Sequence, residues 1–394
     1  MLLSEAIQVT KQSSSGDVDM YIGEMDPEWC IGVVPNGGRA MLYIFMTTVG
    51  NLLRHSYISF LSGYALGQIV ESCICKQRSS HHPDPIHVTA HFLSSPSASA
   101  FEVRVCLLKK GRSFTNLEAD LIQNGSTRIK SHLIFGVLEP PPRSPGIRGE
   151  QSNSISLLPP SPYARRLPLY QHPRTAPRTS VPLRLKFHSR LEFTREPELS
   201  AQNDVDSPHR TNAETVGGGG LQSGFWCGLS KDQTKGSEHK MVDTEAVTAS
   251  GLPLFADISS GAVLLLPAEH RKGLGTRRVM ETLTPSVGHS LNINRLCSWF
   301  PTLTMTIEYK FAIPKRSSVH SNRTVGVFSS TSFLHGAMGR HNSYTEVWTA
   351  PCDIGEDVQI VEGWRDDQVC LAVSTQMAVT VPIEKNLAKG KGKL

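Results

Sequence analysis

The sequence predicts an α+β fold in which two similar domains, each an antiparallel sheet with one principal helix, lie in tandem. Three observations predict it. The chain has 394 residues, more than one ordinary core holds, and domains of about 100 to 200 residues put two in a chain of this length. The runs SWFPTLTMTIEYKFAIP, GRHNSYTEVWTAP and QVCLAVSTQMAVTVP of the C-terminal half are echoed, in order, by HVTAHFLSSP (His87 to Pro96), KKGRSFTNLEADLIQNG (Lys109 to Gly125) and KSHLIFGVL (Lys130 to Leu138). Both copies open a strand with a Gly-Arg pair, Gly111-Arg112 and Gly339-Arg340, and each places a glutamine near the end of a strand, Gln123 and Gln376.

The helix of the first half is read over Tyr64 to Gln77. Leu66, Ile69, Val70, Cys73 and Ile74 fall at i, i+3, i+4, i+7 and i+8, one apolar stripe that suits a helix laid on a sheet. Its counterpart is expected to start near Asp257, where ADISSGAVLLLP offers a carboxylate at a helix N-terminus before an apolar run. Capping alone explains an aspartate there. Alternating runs mark the strands: VTAHFL, FEVRVCLL, TNLEADLIQ and SHLIFGVL in the first half, LTMTIEYKFAI, TVGVFSSTSFL, YTEVWTAP and VCLAVSTQMAVTV in the second.

Between Glu139 and Pro182 the chain is dense in Pro, Arg and Ser without periodicity, which reads as a flexible, partly extended, solvated connector. A second soft region, Ala201 to Gly220, ends in four glycines ahead of the strand GFWCGL. Two segments interrupt the pattern. Arg39 to Gly63 separates PNGG from YALGQIVESC, and a similar surplus runs from about Thr276 to Cys297. The flanking sequence closes well without them, so one or both read as translated intron-like insertions or badly predicted gene-model segments, and in-frame transcript reads across both would overturn that. The boundaries that follow are an N-terminal domain at 1–139 with an insertion at 39–63, a linker at 140–183, a C-terminal domain at 184–385 with an insertion at about 276–297, and a basic tail at 386–394.

Composition excludes several classes. A hydrophobic content of 39% with 32 Gly and 25 Pro describes a loop-rich globular chain rather than a fibre. The net charge of +5 is mild and concentrated in the connector and the Lys389, Lys391, Lys393 tail, without the clustered cations and aromatics of a nucleic-acid groove. The apolar run of the first insertion breaks at Arg54-His55, short of the ~20 residues that span a bilayer. Eight scattered cysteines without a CxxC pair and no secretory signal suggest a reduced compartment and no metal site. His81-His82 lacks matched ligand spacing and reads as solvated loop.

Trp29, Pro35-Asn36-Gly37-Gly38, His91-Phe92-Leu93, Gly111-Arg112 and Gln123 in the first half, with Asp257, Thr304, Phe311 and Gln376 in the second, are the residues on which the chain resembles the acyl-CoA thioesterase II (thioesterase B) family. The resemblance covers about three quarters of the chain. It implies two tandem hotdog domains, each an antiparallel sheet wrapped around a long helix, fused into one pseudo-dimer. It also implies hydrolysis of fatty acyl-CoA or related acyl thioesters, with no cofactor and no metal, and allows further association into a homo-oligomer.

Carried over, the family's water-positioning residues fall on Asp257 in LPLFADIS, Thr304 in TLTMTIEYKF, seven residues before Phe311, and Gln376 in AVSTQMAV. Thr306 competes with Thr304, because hydroxyls two apart on a strand share a face. The chemistry suits those types. A thiol of ordinary pKa about 8.5 leaves as thiolate without an obligatory strong acid, so activating water is the main demand. Asp257 could serve as general base while Thr304 and Gln376 hold the water. Gln123 has no aspartate counterpart before the first helix, which leaves the first half as a substrate-binding or structural partner.

Two alternatives accompany this reading. One is a non-catalytic acyl-thioester-binding module, favoured by an intact tunnel with no rate loss on changing Asp257. The other is a hotdog enoyl-CoA hydratase, suggested by DPIH (Asp84 to His87), although that signature wants an aspartate where His82 stands. The C-terminal Gly392-Lys393-Leu394 is a degenerate relative of the peroxisomal Ser-Lys-Leu address, so the cytoplasm is the expected compartment and the peroxisome the alternative.

Overall fold

The computed structural model describes residues 1–29, 59–140, 159, 161–179, 190–203, 221–230, 245–258, 298–299, 301–335, 339–379 and 381–382. The Pro35 to Gly38 turn, positions 39–58 and 276–297 of the two insertions, the Gly217 to Gly220 run and the 386–394 tail lie outside the described residues.

In chain order the elements are α1 (Leu3–Ala6), β1 (Thr10–Ser15), β2 (Val18–Glu24), α2 (Ser59–Gln77), β3 (Asp84–Phe92), β4 (Ala100–Lys110), β5 (Thr115–Gln123), β6 (Ser126–Gly136), β7 (Leu191–Phe193), α3 (Pro197–Asn203), β8 (Leu221–Leu229), α4 (Leu252–Asp257), β9 (Ser298–Trp299), β10 (Thr302–Tyr309), β11 (Thr324–His335), β12 (Arg340–Thr349), β13 (Cys370–Ala378) and β14 (Val381–Pro382). Strands β9 and β14 form a small separate ribbon. All the others join one 12-stranded sheet, ordered β1-β2-β4-β5-β6-β3-β10-β13-β12-β11-β8-β7. Read inward from either edge, the order repeats: β2-β4-β5-β6-β3 meets β8-β11-β12-β13-β10. The seam is the antiparallel pair β3 and β10, with Met305 opposite Ala90 and Ile307 opposite Val88. Each seam strand carries a bulge near its start, between Pro85 and His87 in β3 and between Thr302 and Thr304 in β10.

The expected apolar stripe of α2 is the stripe that packs. Leu66, Ile69, Val70 and Cys73 are fully buried, and they share one core with Val103, Val105, Leu117 and Leu133 of the first half and Met305, Ile307, Val327 and Val347 of the second. The helix starts at Ser59, however, so the expected insertion boundary at Gly63 cuts into its first turns. Helix α4 crosses α2 at close range. A Cβ on Gly63 would sit 2.4 Å from the Pro253 carbonyl oxygen, and one on Gly67 would sit 2.5 Å from that of Ser250. Two glycines one turn apart thus let the two backbones touch, which any side chain would prevent.

Part of the expected solvated connector is a packed strap. Leu167 and Leu169 are fully buried and close a second core with Trp226, Phe328 and Trp348 on the outer face of the second half's sheet. Leu169 fills the gap left by two glycines, since a Cβ on Gly224 would meet its Cδ2 at 2.4 Å and one on Gly326 its Cδ1 at 3.1 Å. Arg165 grips Glu346 through Nε at 3.0 Å and Nη2 at 3.1 Å, and the same buried carboxylate accepts from Tyr344 and Trp348. Composition hid this because two leucines spaced to face one way outweigh the prolines and arginines around them.

Candidate active site

Asp257 ends α4, and the apolar run after it, over which a helix starting near Asp257 was expected, lies from 259 onward outside the described residues. Pro253, at the start of Leu252–Asp257, begins the helix earlier, as proline does in a first turn where its missing N–H costs nothing. That turn delivers a carboxylate with no solvent exposure to the junction of the two halves. The Gln376 amide nitrogen donates to Asp257 Oδ1 at 2.7 Å, and the Gly63 N–H donates to Asp257 Oδ2 at 2.9 Å. The same Gln376 nitrogen donates to Thr302 Oγ1. Thr302 and Gln376 are both buried, at 4% and 5% exposure.

Of the three residues expected at the site, Asp257 and Gln376 meet and Thr304 stands apart. Thr304 lies opposite His91 and Met377 on the outer face of β10. The bulge between Thr302 and Thr304 explains this. It inserts one residue into the alternation, so Thr302 shares the inner face with Met305, Ile307 and Tyr309, while Thr304 and Thr306 face away. A carry-over by its seven-residue spacing from Phe311 cannot see such a step.

Gly63 was missed as well, because the sequence reading placed it within an insertion. Its signal was the Gly63/Gly67 spacing in GYALG. Gln123 is buried but serves elsewhere. It accepts from the Ser97 N–H at 2.9 Å and donates to the Ser97 carbonyl at 2.9 Å, clasping the loop between β3 and β4. It ends β5, whose counterpart by sheet order is β12, so it does not match Gln376 on β13.

Burial sets the electrostatics. Taking the Asp257 carboxylate out of water raises its pKa to about 7, against the Gly63 and Gln376 hydrogen bonds, which pull it down. A carboxylate at that value is a competent base near neutral pH. Thr302 accepts from Gln376 and keeps its own proton to donate. Of the hydratase-like DPIH run, Asp84 is committed to the fold, its Oδ2 accepting from the Leu138 N–H at 2.9 Å, while His82, which stands where that signature wants an aspartate, bonds Thr115 and the Arg112 carbonyl and His87 Nδ1 is buried without a hydrogen-bond partner among the described residues. Among the described residues no group of His, Cys, Asp and Glu could hold a metal, and no helix is long and apolar enough to cross a membrane.

A sheet repeated across a seam, with a buried carboxylate where the helices meet, defines a protein of the hotdog class. Residues 25–136 match the family model described as acyl-CoA thioesterase N-terminal domain. Solved structures agree on the fold over nearly all of the chain. A candidate thioesterase II from Thermobifida fusca YX is 17% identical, with 96% of this chain and 97% of that one covered and a TM-score of 0.56. A hot dog fold protein of unknown function from Alicyclobacillus acidocaldarius is 14% identical, covering 96% and 97%, at a TM-score of 0.52. The acyl-CoA thioesterase II TesB2 from Mycobacterium marinum is 10% identical, covering 96% and 98%, at 0.50. No curated protein sequence matches.

Proposed function

We propose that this protein is a two-domain hotdog acyl-CoA thioesterase, in which the halves at 1–139 and 184–385 form a pseudo-dimer with one site between them. The observation that carries the reading is the buried Asp257 carboxylate, bonded by Gln376 from its own half and by the Gly63 N–H from the other. Such a carboxylate is costly to bury unless the site uses it.

The geometry supports the following course of reaction. Asp257 takes a proton from water as the water oxygen attacks the thioester carbonyl carbon. Thr302 takes the place that Thr304 was given by sequence, and with Gln376 it fixes the water and the carboxylate relative to each other. The tetrahedral intermediate collapses by breaking the C–S bond, the electron pair leaving on sulfur. The proton held by Asp257 then passes to the thiolate or to solvent, giving free acid and thiol. Substrates enter as acyl-CoA or a related acyl thioester, and a cytoplasmic setting suits such a substrate.

The test is thiol release from a panel of acyl-CoAs by wild type and Asp257→Asn, compared at matched folding. Turnover that collapses in the variant supports the hydrolase. Binding of acyl-CoA without turnover in the wild type moves the function to a non-catalytic acyl-thioester-binding module.

A further inference from the structure

The hairpin joining β4 to β5 ends in a tip that mixes apolar and basic side chains. Strand β4 closes on Leu108-Lys109-Lys110, the turn runs Gly111-Arg112-Ser113, and Phe114 leads into β5. The turn is tight, the Gly111 N–H donating to the Phe114 carbonyl at 2.8 Å. A bulge between Leu107 and Lys109 leaves Leu108 without a partner on β5, and such an extra residue breaks the alternation of its strand. Leu108 is 49% exposed and Phe114 50%. Phe114 lies against Gly136, where a Cβ would meet its ring at 3.1 Å. Val137, which follows Gly136 at the end of β6, is 65% exposed. Three large apolar side chains thus gather on the surface at one end of the sheet, and such a gathering marks a contact surface.

Cations accompany them. Lys109, Lys110 and Arg112 are exposed, as is Arg78 just past the end of α2, and among the described residues none of the four is in an ion pair. His82 ties the end of α2 to the tip, bonding the Arg112 carbonyl at 3.1 Å and the Thr115 hydroxyl at 2.9 Å. Carboxylates offset the charge only in part. Asp19 is spent on Lys11 and Lys76 and Asp84 on the Leu138 N–H, which leaves exposed Asp17 and Glu139 against the four cations. The matching hairpin of the second half, β11 to β12, keeps a bulge between Phe333 and His335. Its turn sequence HGAMGR, His335 to Arg340, has one arginine where the first has two lysines and an arginine. The basic tip belongs to one end of the molecule.

This chemistry selects a partner. A hairpin tip is convex, and its single aromatic ring gives nucleic-acid bases little to stack on. Apolar side chains set among cations suit the boundary of an anionic bilayer: leucine, valine and phenylalanine enter the acyl region, while lysine and arginine stay with the headgroup phosphates. We infer that the β4–β5 tip, together with Val137, docks on the surface of an anionic membrane and seats the protein there peripherally. The stretch of α2 from Gly63 to Gln77, at ~1.5 Å per residue, puts about 20 Å between the Asp257 site and this end, so docking leaves the site free.

The experiment is sedimentation of the full chain with vesicles of phosphatidylcholine alone and of equal parts phosphatidylcholine and phosphatidylserine, at low and high salt. Wild type is expected to bind the anionic vesicles about tenfold or more tightly than the neutral ones and to be released by salt. Each cation at an anionic surface contributes about fivefold, so Lys109→Gln/Lys110→Gln/Arg112→Gln should weaken that binding on the order of a hundredfold. Leu108→Ser should weaken it at unchanged charge, and both variants should melt as wild type does because the replaced side chains are exposed. Wild type that ignores anionic vesicles at low salt overturns the inference. A triple variant that binds them as wild type does places the contact elsewhere and also overturns it. Binding of soluble polyglutamate in place of vesicles would make the tip a site for an acidic protein, which removes the membrane.

Discussion

Gly63 and Asp257, 194 residues apart, are joined twice: by a 2.9 Å hydrogen bond from the Gly63 N–H to Asp257 Oδ2 and by a gap that admits no side chain, since a Cβ on Gly63 would stand 2.7 Å from the Asp257 Cβ. The first fixes the carboxylate and the second fixes the helices that deliver it.

Gly63→Ala is expected to destabilise the protein by about 1–3 kcal/mol, as overpacking of a close contact does, and to lower thiol release per folded molecule. Gly67→Ala meets the Ser250 carbonyl instead, so its stability loss should be comparable and its rate loss smaller. Denaturant titration paired with the rate assay separates the two.

The Asp257 carboxyl, raised to about 7 by burial, must be ionised to act as base. The rate should rise about tenfold per pH unit below that value and level off above it. Stability runs the other way. The folded form holds its proton above the ordinary carboxylate range, so stability is full at acid pH and falls as pH rises toward 7. Asp257→Asn should therefore lose roughly a hundredfold or more in rate yet melt higher than wild type at pH above about 7, with the difference vanishing in acid. A variant that melts lower at alkaline pH would contradict this.

Thr302→Val removes the hydroxyl that accepts from Gln376, whereas Thr304→Val alters the outer face. The first should cut the rate at least tenfold, and the second should leave it within about twofold. Equal losses would mean that the β10 bulge does not set which threonine serves.

Leu169→Ala empties the site between Gly224 and Gly326 on the outer face. A loss of about 2–5 kcal/mol is expected, together with faster proteolytic cleavage within residues 161–179 while the rate per folded molecule holds.

How much of this was legible varies with the range of the interaction. The α2 stripe and the strand echoes were readable because they are local periodicities. Asp257 and Gln376 are 119 residues apart and came only through the family resemblance; no spacing rule predicts their hydrogen bond. Thr302 was lost to a one-residue bulge, which is a property of pairing between strands rather than of either strand's sequence. Gly63 was lost because close packing leaves its mark as an absent side chain, and the strap because Leu167 and Leu169 are a small apolar signal in a polar composition.

The seam between β3 and β10 has a further consequence. In an assembly of separate chains, a site shared across an interface would dissolve on dilution, and any change to one copy would be imposed on the other. Here the two contributors are tethered, so the site is concentration-independent, and each half is free to drift alone. A carboxylate at Asp257 in one half, with no aspartate counterpart before the helix of the other, is the divergence that such independence permits.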